Sequence, residues 1–285
     1  MKIGVTGATG KLGRLVVQQL LETQPARDLV AIVRDKAKAA DLAATGVEVR
    51  AADYDDPAAL RSALAGVDRL LLVSSNEIGR RFPQHKNVID AAKEAGVKHL
   101  VYTSAPKATT SALVLAPEHK ATEEYLAQSG LAHTILRHGW YTENYAQAAQ
   151  TAVQTGKLVA AAGEGRVASA TRADYAAGAV AVLLGEGHEG KVYECSGDYA
   201  WDFDELATAI SEISGKPVVY EAVHAGVMMG ILRGAGLDEA TAGFVTALDE
   251  NTAAGLLSGC TGELSALIGR PTTPLKEGLR TAMEL

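Results

Sequence analysis

Short apolar runs alternate with longer amphipathic stretches through the first half of the chain. Lys2–Thr6 reads as a strand, and Leu15-Val16-Val17-Gln18-Gln19-Leu20-Leu21 as a helix. Leu29-Val30-Ala31-Ile32-Val33 is a second apolar run, followed by a helical pattern over 36–44. Val47–Ala51 predicts a third strand, and 57–64 a helix opened by Pro57. Arg69-Leu70-Leu71-Leu72-Val73 is almost unbroken in its apolar character, as expected of a parallel strand covered on both faces. A helix near 84–95, a strand at 100–103, a helix over 118–128 and a strand at 134–137 continue the rhythm. Such alternation predicts an α/β fold built on a doubly wound parallel sheet. After Arg137 the rhythm weakens. Helices are expected at about 173–185, 203–213, 224–234 and 238–254, with short strands near 191–195 and 217–221. The expected division is a sheet domain over 1–140 and a smaller, mostly helical C-terminal substrate lobe over 141–285, with 165–195 returning to the sheet. Glycines at 226, 230, 234, 236 and 243 read either as a mobile helical region or as ordinary turns and helix ends.

Between the first strand and the first helix stand Gly7, Gly10 and Gly13. A strand, a glycine-rich turn and a helix make a site for a phosphate, because free N–H groups at the helix start attract anions. A nucleoside-triphosphate loop is excluded: it needs G-x-x-x-x-G-K followed by Ser or Thr, whereas Val5 stands at its first glycine and Leu12 at its hydroxyl. G-x-x-G-x-x-G instead fits a dinucleotide, with the glycines allowing a tight turn, close backbone approach and close packing of helix on strand. Gly7, Thr9, Gly10, Lys11 and Leu12 are the candidate residues for the pyrophosphate. The second strand ends in Arg34, where NAD sites offer an acid to the ribose 2′-hydroxyl and NADP sites a cation to the 2′-phosphate. Guanidinium fits a phosphate as a two-pronged donor, so NADP(H) is expected. Asp35 either caps the next helix or admits NADH. Asp53, Tyr54, Ser74, Ser75, Asn76, Thr103 and Ser104 follow the later strands and are candidates for contact with the rest of the cofactor.

The charge balance, 27 basic against 34 acidic residues, argues against nucleic acid. The seven histidines lack metal-ligand spacing, and the two cysteines make no disulfide framework, so no metal site is expected. No apolar run approaches the about 20 residues of a membrane helix, and no signal peptide precedes the first strand. A cytoplasmic protein without a membrane partner is the expectation.

Seven stretches together resemble the NmrA-like branch of the atypical short-chain dehydrogenase/reductases, and within it the bacterial NAD(P)H:quinone oxidoreductases and triphenylmethane reductases. They are Thr6–Gly13, Ala31–Arg34, Ala52–Asp55, Leu71–Ser75, Tyr102–Ser104, Arg137–Asn144 and Ala168–Ala176. The resemblance implies a Rossmann-type domain for NADP(H), a small lobe closing over a substrate cleft, and hydride transfer to a quinone or conjugated dye without flavin. It also implies an alternative, since some relatives sense the dinucleotide and catalyse nothing. A reductase of another acceptor, such as an enone, imine or azo compound, stays open, as does a homodimer.

None of the nine tyrosines has lysine four residues later, so the Y-x-x-x-K proton relay of the alcohol dehydrogenases is missing. A quinone needs no such relay, because hydride arrival yields a stabilised aromatic anion that water protonates. Trp140 and Tyr141 follow the sixth strand, and in a chain with 5% aromatics they are candidates for a wall that stacks on a small planar aromatic substrate. His138 and Asn144, with Tyr141, are candidate donors to a quinone oxygen. Lys120 resembles a lysine that some relatives place near the nicotinamide ribose. Asp174 reads as the N-cap of a helix beginning at Tyr175.

Overall fold

A computed structural model describes residues 1–284. In chain order the elements are β1 (Ile3–Thr6), α1 (Lys11–Leu21), β2 (Leu29–Val33), α2 (Ala40–Ala44), β3 (Glu48–Ala51), α3 (Pro57–Leu64), β4 (Arg69–Leu72), α4 (Arg81–Glu94), β5 (His99–Ser104), α5 (Ala116–Gln128) and β6 (His133–His138). They continue with β7 (Trp140–Tyr141), α6 (Ala146–Thr155), β8 (Lys157–Ala160), β9 (Ser169–Ala170), α7 (Arg172–Leu184), β10 (Val192–Cys195), α8 (Phe203–Ser214), β11 (Val219–Ala222), α9 (Ala225–Gly234), α10 (Glu239–Ala253), α11 (Glu263–Ile268) and α12 (Leu275–Met283). The chain falls into two units. The first is Met1–Thr109, Leu115–His138 and Arg172–Glu194; the second is Thr110–Val114, Gly139–Thr171 and the chain from Cys195 onward.

The first unit is a Rossmann-type doubly wound sheet. Its seven strands run in the order β10-β6-β5-β4-β1-β2-β3. β1 pairs in parallel with β2 on one side and β4 on the other, and β2–β3, β4–β5 and β5–β6 are parallel as well. The order therefore reverses between β1 and β4, the switch point beside which such sheets bind ligands. Side chains alternate across the sheet. Val30, Ile32, Leu70, Leu72, Leu100 and Tyr102 join Leu60, Leu64, Val88, Ile89 and Leu126 of α3, α4 and α5 in one buried cluster. α1 and α7 pack against each other and against strands of the sheet. All five β2 residues are buried, which is why that run shows no polar alternation.

In the second unit, β11 pairs in parallel with β8, and β7 with β9. Its core gathers Tyr145, Trp201, Phe203 and Tyr220, with ring centroids 4.9–6.0 Å apart in the contacting pairs. Asp202 caps α8 through a reciprocal arrangement with Glu205.

Four details differ from the sequence pattern. The helix expected over 36–44 is a tight 3-10 turn, Lys36–Ala39, before the short α2, and the Asp35 carboxylate accepts the Ala37 N–H at 2.9 Å. Asp174 is not an N-cap: α7 starts at Arg172, leaving Asp174 buried in its first turn, where the helix dipole favours an acid. Of the glycines, Gly230 and Gly243 lie inside α9 and α10, whereas Gly226 and Gly234 stand at the two ends of α9 and Gly236, at φ +93°, in the turn that follows, so only the last three are helix ends or turns. β7, β8, β9, α6, α11 and α12 lie where no element is expected: β7 and β9 span two residues each and α11 six, too short to develop a period, and α6 carries only Val153 as a large apolar residue.

The entry into α1 shows why the glycines stand where they do. Gly7 has φ +58°, a left-handed conformation, and its carbonyl accepts the Gly10 N–H at 2.8 Å. A Cβ on Gly13 would stand 2.4 Å from the Gly7 carbonyl oxygen. Gly13→Ala is therefore expected to lower the unfolding free energy by about 1–3 kcal/mol. Urea denaturation checks this, and a wild-type midpoint would contradict the close approach.

Candidate active site

The glycine turn leaves the start of α1 open. Gly10, the N-cap, gives no side-chain hydrogen bond, and no acid occupies the first turn. Backbone N–H groups and the positive end of the helix dipole thus face outward without a competing carboxylate. Leu12 is buried beneath the turn, Thr9 is half-buried, and Lys11 is exposed. Such an uncapped helix start suits an anion such as a pyrophosphate.

Thr6 and Tyr54 brace the turn from below. Thr6 Oγ1 donates to the Leu71 carbonyl at 3.2 Å and accepts the Val73 N–H at 3.0 Å. The Tyr54 hydroxyl lies 2.5 Å from Thr6 Oγ1 and 2.8 Å from the Val73 carbonyl oxygen. Burial raises the pKa of this phenol, so it stays protonated. Tyr54 thus ties the carboxyl ends of β1 and β4 together.

Beyond β4, the loop 73–80 is held by buried groups. Thr103 Oγ1 accepts the Ser74 N–H at 2.9 Å, and His85 Nε2 accepts the Ser75 N–H at 2.9 Å. His85 Nδ1 lies 3.0 Å from Thr122 Oγ1, and the Tyr102 hydroxyl lies 2.8 Å from His119 Nδ1. Ser75 Oγ donates to Gln84 at 2.5 Å, and Asn76 is exposed. Arg34 projects from the end of β2 and pairs with Glu77 at 3.0 Å. Arg80 bridges Glu77, at 3.2 Å, and Asp55, at 2.7 Å. Asp53 Oδ1 accepts the Asp55 N–H at 2.9 Å.

At the ends of β5 and β6 a second set of charges is nearly dry. Arg137 contacts Glu123 at 2.6 Å and Glu194 at 2.8 Å. Ser104 Oγ donates to Glu123 at 2.5 Å, so its hydroxyl is already engaged within the clamp. His138, buried at the end of β6, stacks on Tyr175 with ring centroids 4.5 Å apart. Burial, with a smaller contribution from His119, lowers its pKa to about 3, so the ring is neutral. Lys120 is exposed on α5, 3.9 Å from Glu124 on the same helix.

In the second unit, Trp140 and Tyr141 form β7, half-buried and neighbouring in sequence. Asn144 is exposed in the 3-10 turn Thr142–Tyr145 that follows. Burial, then the charge of Asp249, raises the Tyr145 pKa, while a hydrogen bond from Trp140 lowers it.

The structure thus brings Gly7, Gly10, Arg34, Tyr54, Ser74, Ser75 and Thr103 to one edge of the first unit's sheet. Trp140, Tyr141 and Asn144 cluster in the second. Glu77, Arg80, His85 and Glu123 were missed by sequence reasoning. Each acts through a partner on a different element, and no local spacing signals such contacts. Among the described residues no group of three His, Cys, Asp or Glu could hold a metal ion, and no helix is long and apolar enough to cross a membrane.

This is a dinucleotide-binding Rossmann unit, and residues 7–186 match the NAD(P)H-binding family model. The chain belongs to that family. It is 51% identical over 277 residues to quinone oxidoreductase 2 of Escherichia coli (strain K12), covering 97% of each chain. A crystal structure of the E. coli NADPH-dependent quinone oxidoreductase complexed with NADPH superposes with a TM-score of 0.95 at 50% identity, covering 98% of this chain and 99% of that one. The Citrobacter triphenylmethane reductase complexed with NADP(H) gives 0.95 at 41% identity, covering 99% and 100%. The seven stretches from Thr6–Gly13 to Ala168–Ala176 thus belong to a chain similar to quinone and triphenylmethane reductases over nearly its whole length.

Burial also sets a pH dependence. His85, His119 and His138 each have a pKa of about 3 in the folded chain against 6.5 as a free side chain, chiefly through desolvation. The unfolded chain therefore binds the extra protons between these values. Stability is complete above pH 6.5 and is lost as the pH falls, by roughly 1.4 kcal/mol per pH unit for each such histidine. Urea titrations between pH 7 and 5 test this; a flat profile would contradict the neutral buried rings.

Proposed function

We propose that the chain is an NADPH-dependent reductase that passes hydride directly to a quinone or similar planar conjugated acceptor, with no flavin between them. The observation that carries this is the uncapped, glycine-built start of α1 standing beside Arg34, in a chain half identical to a quinone oxidoreductase. The N–H groups around Gly10 to Leu12 hold the pyrophosphate, and Arg34 holds the 2′-phosphate as a two-pronged donor. Asp53 and Tyr54 border the adenosine half, while Ser74, Ser75, Asn76, Thr103 and Ser104 line the path of the chain toward the nicotinamide. Bound NADPH supplies the hydride.

Trp140 and Tyr141 stack on the flat acceptor and keep water from it. Asn144 and the Tyr141 hydroxyl donate to the acceptor oxygen that gains charge. His138, neutral at working pH, can donate one ring N–H but holds no spare proton to release. The proton that completes the hydroquinone therefore comes from water, in keeping with the missing Y-x-x-x-K relay. Lys120 lies exposed on α5 beside Glu124 and takes no part in the transfer.

The test is steady-state loss of NADPH absorbance with 1,4-benzoquinone and protein freed of flavin. Turnover that requires added flavin would overturn the proposal. In the same assay Arg34→Ala is expected to raise KM for NADPH about tenfold or more and KM for NADH less than about twofold. Equal rises would remove Arg34 from the phosphate. Joint replacement of Trp140 and Tyr141 by Ala is expected to lower kcat/KM for the quinone by at least about tenfold, and unchanged kinetics would remove the stacking wall.

A further inference from the structure

Arg34 and Glu77 meet across the crevice at the switch point. Arg34 ends β2, Glu77 lies in the loop after β4, and β1 runs between those two strands. Their ion pair therefore spans the carboxyl end of β1, above the turn that begins at Gly7. Glu77 is held in place on three sides. Its N–H donates to Ser75 Oγ at 3.1 Å, Arg80 donates to its Oε2 at 3.2 Å, and Gln84 Nε2 donates to the same oxygen at 3.1 Å. Ser75 and Gln84 are themselves joined at 2.5 Å, so the carboxylate is positioned by its loop rather than by Arg34 alone. Among the described residues the Arg34 side chain pairs with Glu77 alone, and it is 61% exposed, against 32% for Glu77.

This arrangement bears on which cofactor the crevice takes. Any group gripped by the Arg34 guanidinium comes within reach of a carboxylate only 3.0 Å from one of its nitrogens. A 2′-phosphate there meets a like charge and competes with Glu77 for the guanidinium, of which Glu77 takes one nitrogen. A 2′-hydroxyl meets an acceptor, which is the role an acid plays in NAD sites. The position where that acid ordinarily stands, the end of β2, is filled here by Arg34, and the neighbouring Asp35 accepts the Ala37 N–H through Oδ1.

We propose that Glu77 is a specificity-determining residue for the cofactor, the acid of a split pair in which Arg34 answers a 2′-phosphate and Glu77 a 2′-hydroxyl. NADPH then binds against the opposition of Glu77, and NADH is admitted through it. The inference rests on the reading that the crevice above Gly7 holds the adenosine half of the dinucleotide.

Equilibrium binding of NADPH and of NADH, followed by nicotinamide fluorescence, tests it without turnover. Glu77→Gln preserves the shape of the side chain and removes its charge. It is expected to tighten NADPH about threefold to tenfold and to weaken NADH, so that the preference for NADPH rises by about tenfold. Asp55→Asn removes an equal charge from the same network, where it touches Arg80 and Gln84 but not Arg34. It is expected to leave the preference within about twofold of wild type. A preference unchanged in Glu77→Gln, or raised equally in Asp55→Asn, overturns the role of Glu77 while leaving the cofactor assignment standing. Wild-type protein that binds neither nucleotide overturns both.

Discussion

The start of α1 can approach β1 only because Gly13 has no side chain. A methyl group there would stand 2.4 Å from the Gly7 carbonyl, well inside any tolerable contact. That approach fixes the tight turn, which in turn requires Gly7 at φ +58°. It also leaves the first N–H groups of α1 facing out over the switch point. The bracing of Thr6, Tyr54 and Val73 beneath the turn keeps those groups in register with the end of β4. An anion-ready helix start is thus a consequence of helix–strand packing, and the strand order sets which residues stand beside it.

Around that crevice the chain separates two kinds of polar group. One kind is buried and settled. Arg137 with Glu123 and Glu194, and His85 with Ser75 and Thr122, hold loops in place. Removing one member of such a set strands the others in a dry environment, which is far costlier than losing a surface pair. The other kind is exposed and available. Arg34, Arg80 and Asp55 are exposed ion-pair members that rearrange at small energetic cost, and they meet at Glu77, which Ser75 and Gln84 hold to its loop.

Much of this was legible in the sequence, and the parts that were not have physical causes. Buried parallel strands leave unbroken apolar runs, so β2 and β4 were plain, and the three glycines carried their own geometric reason. Arg34 could be placed because it follows its strand directly. Its partner could not: Glu77 is 43 positions away and meets it only because β1 lies between β2 and β4. Asp174 misled because an acid near a helix start reads as a cap, although Arg172 had already opened the helix. Ser104 read as a free hydroxyl at the ligand edge, and only the fold shows it engaged by Glu123. In the second unit α8, α9 and α10 were legible to within a residue, whereas the two-residue strands β7 and β9 are too short to develop a period and α6 carries only Val153 as a large apolar residue.

The central claim is that hydride passes from the nicotinamide to the acceptor with nothing in between. A single-turnover experiment tests it most directly. Flavin-free protein in excess over NADPH is mixed rapidly with a quinone, and the full absorbance spectrum is followed. The account predicts a single exponential loss of the NADPH band, at least as fast as steady-state turnover, with no flavin absorbance at any time. Persistence of the NADPH band until a flavin is supplied, with flavin reduction then preceding quinone reduction, would contradict it.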